Sequence, residues 1–158
     1  MLSSEVIAAL RVAHRNAAMV TELTIKDETA ISSLDPEVRE PSTRRIDALM
    51  FETLQRTAIE VKVSVADARR ESWAKVRPWA LVTHRFVYAV PAGLLERPPV
   101  YGAGLWWIHE NGTVEVRRKA TINRYPEPLP QGVIQTLAYR ASGRRNSYDA
   151  GVDDAAKP

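Results

Sequence analysis

Apolar positions near the start of the chain recur at helical spacing. Val6, Leu10, Ala13 and Ala17 make one stripe, which predicts a first helix. Ser3 or Ser4 is its expected cap, and Glu5 falls in the opening turn, where the helix dipole favours an anion. The run Ala18 to Ile25 (AMVTELTI) then alternates as a strand does. From Lys26 to Thr43 the chain turns to acids, Ser and Pro, with Asp35-Pro36 marking a turn, and this predicts a long loop. Two stronger strands follow, Arg45 to Phe51 (RIDALMF) and Thr57 to Ser64 (TAIEVKVS), joined as a hairpin by the polar ETLQR. Ser64 with Asp67 spells a helix start, and that helix is expected to run until Pro78 stops it. Phe86 to Val90 predicts a further strand, ended by Pro91. Around Asn111-Gly112 the run GLWWIHENGTVEVRRKA predicts a second hairpin, closed by a type I′ turn. A Pro-rich loop (NRYPEPLP) leads to a last helix over Gln131 to Tyr139.

This order of helix, strands, helix, strands and helix, without internal repeats, defines an α/β domain around one sheet. One domain is expected over residues 1–141, with a polar, disordered tail over residues 142–158. A chain of 158 residues can bury a core without a covalent or metal staple. The absence of cysteine excludes a disulfide scaffold, a thiolate zinc site, a thiol nucleophile and a Cys-ligated iron–sulfur cluster. No apolar run approaches the ~18 residues of a membrane span, and MLSSEVIAAL lacks the basic start of a signal peptide. A cytoplasmic protein with no membrane contact is therefore expected.

Charge changes the picture through its distribution. The total is only +3, too small to demand a polyanionic partner. Between Arg117 and Arg145, however, Arg117, Arg118, Lys119, Arg124, Arg140, Arg144 and Arg145 face a single acid, Glu127. A second basic group, Arg39, Arg44 and Arg45, precedes the first strong strand. Such clusters suit either a solvated surface or a phosphate-contacting face.

Three ionisable residues interrupt the two strongest strands: Asp47 in RIDALMF, then Glu60 and Lys62 in IEVKV. Side chains at i and i+2 of a strand share a face, so Glu60 and Lys62 point together, away from Ile59, Val61 and Val63. Burying a carboxylate and an ammonium is costly unless they pair or meet a ligand. Asp47, on the neighbouring strand, can reach the same face. Two carboxylates suit a hard octahedral cation such as Mg²⁺, and an adjacent Lys can orient the attacking water or stabilise phosphate charge. Acid, gap, acid-x-Lys is a common string, but Glu60-Val61-Lys62 is the only acid-x-Lys in the chain, and both halves of the pattern fall in the two best strands. The alternative is a cross-strand ion pair at a sheet edge.

Asp47, Glu60 and Lys62 on consecutive strands resemble the core of the PD-(D/E)XK nuclease superfamily. The longer run from Thr43 to Ala120, with RRIDALMF, TAIEVKVS, Ser64, Asp67, Glu71, Trp73, YAVP and GLW followed by VRRKA, is similar to MmcB-like DNA repair proteins. That resemblance implies a restriction-endonuclease-like fold, with a central mixed sheet flanked by helices. It also implies a metal-dependent deoxyribonuclease acting in DNA repair or phage DNA processing, with DNA as partner and a homodimer among the open oligomeric states. Asp47 and Glu60 would ligate Mg²⁺ or Mn²⁺, with the Val61 carbonyl as a third protein oxygen, and Lys62 would position water. Relatives often add a glutamate from the first helix or strand. Glu22 is preferred over Glu5, because the helix dipole already accounts for Glu5. Arg44, Arg45, Arg117, Arg118 and Lys119 would contact nucleic acid. Two rivals remain: a nuclease-fold protein that binds DNA ends or branches without cutting, and an interaction module presenting Trp106 or Trp107.

Other residues carry less. Gln135 and Tyr139 spell Q-x-x-x-Y but follow Lys62 too distantly to join its strand. His14, His84 and His109 are scattered and show no acidic partner in the sequence. Trp106 and Trp107 must point to opposite faces, so one is expected in the core. Trp73 is also expected in the core, and Gly102 and Gly104 suit a close backbone approach.

Overall fold

Chain order is also sheet order. The computed structural model describes residues 1–27 and 43–144. Its strands are β1 (Ala18–Lys26), β2 (Thr43–Glu52), β3 (Gln55–Val61), β4 (Arg85–Pro91), β5 (Gly104–Ile108) and β6 (Val114–Arg118). They form one sheet in the order β1-β2-β3-β4-β5-β6. The pairs β1/β2, β2/β3 and β5/β6 are antiparallel, while β3/β4 and β4/β5 are parallel. Helices α1 (Ser3–Ala13), α2 (Val65–Ala68) and α3 (Trp73–Val82) complete the unit Met1–Glu127. A second unit begins at Pro128 and holds α4 (Gln131–Ala141). The chain is thus an α/β protein with a mixed six-stranded sheet flanked by helices. Asp35-Pro36, Arg39 and Arg145 lie outside the described residues.

Strand alternation sorts the core into two faces. Val6 and Leu10 of α1 cover Ala48, Met50, Ile59, Val61, Val87, Ala89, Trp106 and Ile108. Burying each of the larger members is worth roughly 1.5–3 kcal/mol. On the other face α3 packs against β2 and β4. Trp79 of α3 is almost wholly buried, and its Nε1 donates to the Arg44 carbonyl at 3.0 Å.

Several expectations need correction. The cap of α1 is Leu2 rather than Ser3 or Ser4, and the Glu5 carboxylate accepts from the Leu2 N–H. Ala13 is exposed, and Ala17 lies past the helix end at His14. The helix expected from Ser64 to Pro78 is two helices. Ser64 does cap the first, accepting from the Asp67 N–H at 3.2 Å, but α2 ends after Ala68. The chain re-enters a helix at Trp73 and carries Pro78 inside it. A proline there forfeits the bond to the Ala74 carbonyl, at a cost of about 3 kcal/mol. Burial of Val76, Pro78, Trp79 and Val82 on the sheet outweighs that cost.

The turns also differ in detail. Asn111-Gly112 does close the second hairpin, but only Gly112 has positive φ (82°), so the turn is not type I′. Gly112 N–H donates to His109 O at 2.9 Å and His109 N–H to Thr113 O at 2.9 Å, the pattern of a three-residue loop with glycine in the left-handed position. Gly104 fits its expected role: an added Cβ would stand 3.1 Å from the Ala120 nitrogen and the Val87 Cγ2. In the β2/β3 turn, Leu54 has φ +58° and is 96% exposed. Leu54→Asn is expected to raise stability by about 0.5–1 kcal/mol, because Asn tolerates that conformation and no packing is lost. A higher urea midpoint at unchanged slope would show it; an unchanged midpoint would refute it.

Candidate active site

The site forms where the ladder between β2 and β3 ends. Their last pair on this side is Ala48 with Ile59, and beyond it the strands part. The Asp47 side chain enters the gap, and its Oδ2 accepts from the Val61 N–H at 2.7 Å. Alternation then sends Val61 into the α1-side core and turns Glu60 and Lys62 to the α3 side. Asp47 shares that face, and its charge acts on Glu60.

Lys62 is the hub. Its side chain is 7% exposed, with Nζ 3.0 Å from Glu60 Oε1, 3.0 Å from Glu71 Oε1 and 3.5 Å from Asp67 Oδ2. The ammonium thus donates to Glu60 and Glu71, and Asp67 adds negative charge from farther off. Glu71 reaches inward because the chain leaves the helix between α2 and α3. Its Oε2 accepts from the hydroxyl of the fully buried Tyr88 at 3.0 Å.

Asp47, Glu60, Asp67 and Glu71 surround one lysine, and that imbalance sets the electrostatics. Burial and then the Asp47 charge push Glu60 up to about 7, against the pull of Lys62. Burial also raises Asp47, opposed by the Val61 N–H, Lys62 and Arg45. For Lys62 burial works downward, but Glu60 and Glu71 outweigh it and hold the ammonium above its ordinary range. Burial and Glu71 raise Tyr88, so its hydroxyl remains a donor. Asp47 and Glu60 are thus poorly compensated while the lysine is over-compensated.

A cleft of about 260 Å³ opens onto this group, lined by Arg44, Arg45, Glu60, Glu71, Lys75, Trp79 and Phe86 among others. Arg45 is exposed beside Asp47, whereas the Arg44 Nε lies 3.7 Å from the buried Asp27. Glu22 stands opposite Asp47 in the β1/β2 register, and its charge acts on Asp47. It is exposed and has φ +54°, a left-handed conformation within a strand that interrupts the regular pairing between Thr21 and Leu23. Strain of this kind costs roughly 1–3 kcal/mol and clusters at functional sites.

The remaining basic candidates lie elsewhere. Arg117, Arg118 and Lys119 are exposed at the end of β6, three strand spacings or roughly 14 Å from β3. Arg117 sits 4.1 Å over the Trp107 ring, and also pairs with Glu115 at 3.2 Å and Glu96 at 3.6 Å. Trp106 is the core member of the pair and stacks on His14, with centroids 5.1 Å apart. Trp73, expected in the core, is instead 54% exposed, because it opens α3 at the rim rather than on the sheet. Two of the three histidines do have acidic neighbours in the fold: His109 meets Glu115 at 2.9 Å, and His14 meets Glu52 at 3.5 Å. Gln135 and Tyr139 lie on α4, in the second unit.

Among the described residues no group of three or more His, Cys, Asp or Glu stands in metal-holding geometry. Mg²⁺ asks less of a protein than such a cage, binding through one or two carboxylates while keeping waters and substrate oxygens. Asp47 and Glu60 are chemically suited to it, being all-oxygen donors that repel one another, and the Val61 carbonyl belongs to the residue Asp47 already touches. Sequence reasoning gave no role in the site to Glu71, Lys75 or Tyr88. The available signal was Tyr88 itself, a phenol in the aliphatic run FVYAV, where a buried hydroxyl needs a partner.

No protein-family model matches the chain, and no curated protein matches it. Among solved structures it is similar to the SPO1766 protein of unknown function from Silicibacter pomeroyi, with TM-score 0.58 and 18% identity over 98% of this chain and 92% of that one. That likeness is one of fold. No helix among the described residues is long and apolar enough to cross a membrane.

Proposed function

We propose that this chain is a metal-dependent nuclease that hydrolyses phosphodiester bonds in DNA, of the PD-(D/E)XK type and related to MmcB-like DNA repair proteins. The observation that carries this reading is the meeting of Asp47, Glu60 and Lys62 on one face where the β2/β3 ladder parts. The mixed sheet supports a restriction-endonuclease-like fold, with the acid-x-Lys strand antiparallel to the Asp47 strand and parallel to β4. Asp47 and Glu60, with the Val61 carbonyl, would hold Mg²⁺ or Mn²⁺. The ion, when bound, supplies Lewis acidity at the phosphate and activates water.

The rest is done by the chain's own side chains. Lys62 remains an ammonium, so it orients water and offsets phosphate charge, and removes no proton itself. Glu71 and Tyr88 hold Lys62 in place. Arg45 and Lys75, on the walls of the cleft, are placed to take the phosphates flanking the bond that is cut. Arg118 and Lys119 extend the cationic surface to the far sheet edge, and Glu22 acts on the site through Asp47.

The test is incubation of the chain with single-stranded, duplex and branched DNA in Mg²⁺, in Mn²⁺ or in EDTA. Product that appears only with the metals, and falls at least about a hundredfold in Asp47→Ala, supports the reading. A second reading, a protein that binds DNA ends or branches without cutting, draws on the pairing of Lys62 with three carboxylates. It predicts no metal-dependent product and a DNA affinity indifferent to Asp47.

A further inference from the structure

A cavity of about 350 Å³ opens beside the cleft and has no part in the chemistry described so far. Val76 and Phe86 line both spaces, so the two adjoin across a shared wall. Trp73 and Tyr101 line the cavity and are 54% and 99% exposed, so both rings are open to a ligand. Its walls are tied by main-chain bonds. Thr121 N–H donates to the Gly102 carbonyl at 2.9 Å, and Asn123 N–H to the His84 carbonyl at 2.8 Å. Gly102, at φ +85°, makes the bend that a side chain would strain. His84 adds a polar edge. Its Nδ1 accepts from the Arg56 N–H at 3.1 Å, which places the ring proton of the neutral form on Nε2.

An apolar, pre-formed hollow with exposed aromatic rings beside a cationic cleft suits a ligand that is flat at one end and anionic at the other. Unpaired nucleotides have that shape: each base presents a π-face whatever its identity, and each carries a phosphate. In a duplex the same faces are already stacked on their neighbours. We propose that this cavity takes unpaired bases of a single-stranded polynucleotide whose backbone enters the adjoining cleft, with Trp73 and Tyr101 as stacking platforms. Arg85 at the cavity, with Arg45 and Lys75 at the cleft, supplies the matching positive charge. This inference rests on reading the cleft as a seat for phosphodiester backbone.

The test is a fluorescence titration of the full chain in EDTA, where nothing is cut, with oligothymidylate and with duplex DNA of equal length. Trp73 is the most exposed of the four tryptophans, so stacking there should quench emission. The single strand should bind about tenfold more tightly than the duplex, and Trp73→Ala or Tyr101→Ala should each weaken it about tenfold. Trp73→Phe should keep the affinity and lose the quench. Equal affinity for both DNAs, or unchanged binding in both alanine variants, would overturn the proposal. So would a concentration-dependent change in Trp73 emission without DNA, which would assign the cavity to a second copy of the chain. Single-strand binding through Trp73 by a protein that never cleaves in Mg²⁺ would sustain this proposal while ending the nuclease reading.

Discussion

Lys62→Met is expected to cost about 3–5 kcal/mol of stability at pH 8 and, on the proposed nuclease reading, to abolish metal-dependent cleavage. Met fills nearly the same volume, so the loss is one of charge. Glu60 and Glu71 would be left half-buried or buried beside Asp47 with no cation among them. The sign with pH follows from the direction in which Lys62 is displaced. Its ammonium is held above the ordinary value, so the stability it contributes is fully present below about 10.5 and is lost only above that. Between pH 5 and 8 the variant's deficit should therefore change through the acids alone. At pH 5 Glu60 is protonated in both proteins, and the deficit should shrink. Urea titrations at the two pH values measure it. Equal stability of variant and parent at pH 8 would mean that Lys62 is not the hub of the network. Lys62→Arg separates charge from chemistry: it restores a cation, but a planar guanidinium cannot take three carboxylates in an ammonium's geometry, and cleavage should stay lost.

The sheet is legible in the sequence wherever side-chain period decides the outcome. Alternation places Ile59 and Val61 on one face and Glu60 and Lys62 on the other, and apolar runs locate β1 to β5 to within a few residues. Helix limits are not legible, because they depend on contacts the local sequence does not contain. Pro78 reads as a stop until Val76, Trp79 and Val82 are seen buried on the sheet. The break after Ala68 is equally silent in sequence, where the residues from Asp67 to Arg77 contain no strong helix breaker. In the fold, that break coincides with Glu71 reaching Lys62 and Tyr88.

The same distinction applies to the site. Asp47, Glu60 and Lys62 are visible as charges inside apolar strands, which is a local anomaly. Glu71 is not, since a Glu in a helix-like stretch is ordinary, and the Tyr88 phenol signals only that a partner is needed, not which residue supplies it. The basic surface misleads for a related reason. Arg117 looks like a phosphate contact in VRRKA, but its guanidinium lies on Trp107 and between two glutamates. Arg44 is likewise engaged with Asp27 and Lys75 donates to the Arg70 carbonyl, although both line the cleft beside Arg45.

Glu60→Gln is expected to make the protein more stable at pH 8, by about 2–3 kcal/mol, and to remove the metal response that the proposed site implies. The folded protein holds the Glu60 proton up to about 7, against 4.5 for an unperturbed carboxyl. Between those values the folded state binds more protons than the unfolded state, so stability falls as pH rises, by about 1.4 kcal/mol per pH unit. Gln keeps the shape, can still accept from Lys62, and never ionises, so its profile across that window should be flatter. If Asp47 and Glu60 hold a divalent cation, Mg²⁺ should offset the same penalty in the parent protein. The melting temperature would then rise with Mg²⁺ at pH 8, respond less at pH 5 where the ion must displace a proton, and not respond in Glu60→Gln. A parent profile that is flat from pH 4.5 to 7 would show that Glu60 is not raised. A Mg²⁺ response that survives in Glu60→Gln would place the ion elsewhere. The stabilising direction is what separates the two roles of this residue: a glutamate kept for an ion pair would weaken the fold when neutralised, whereas one kept ionised for a cation is a cost that the fold carries for its chemistry.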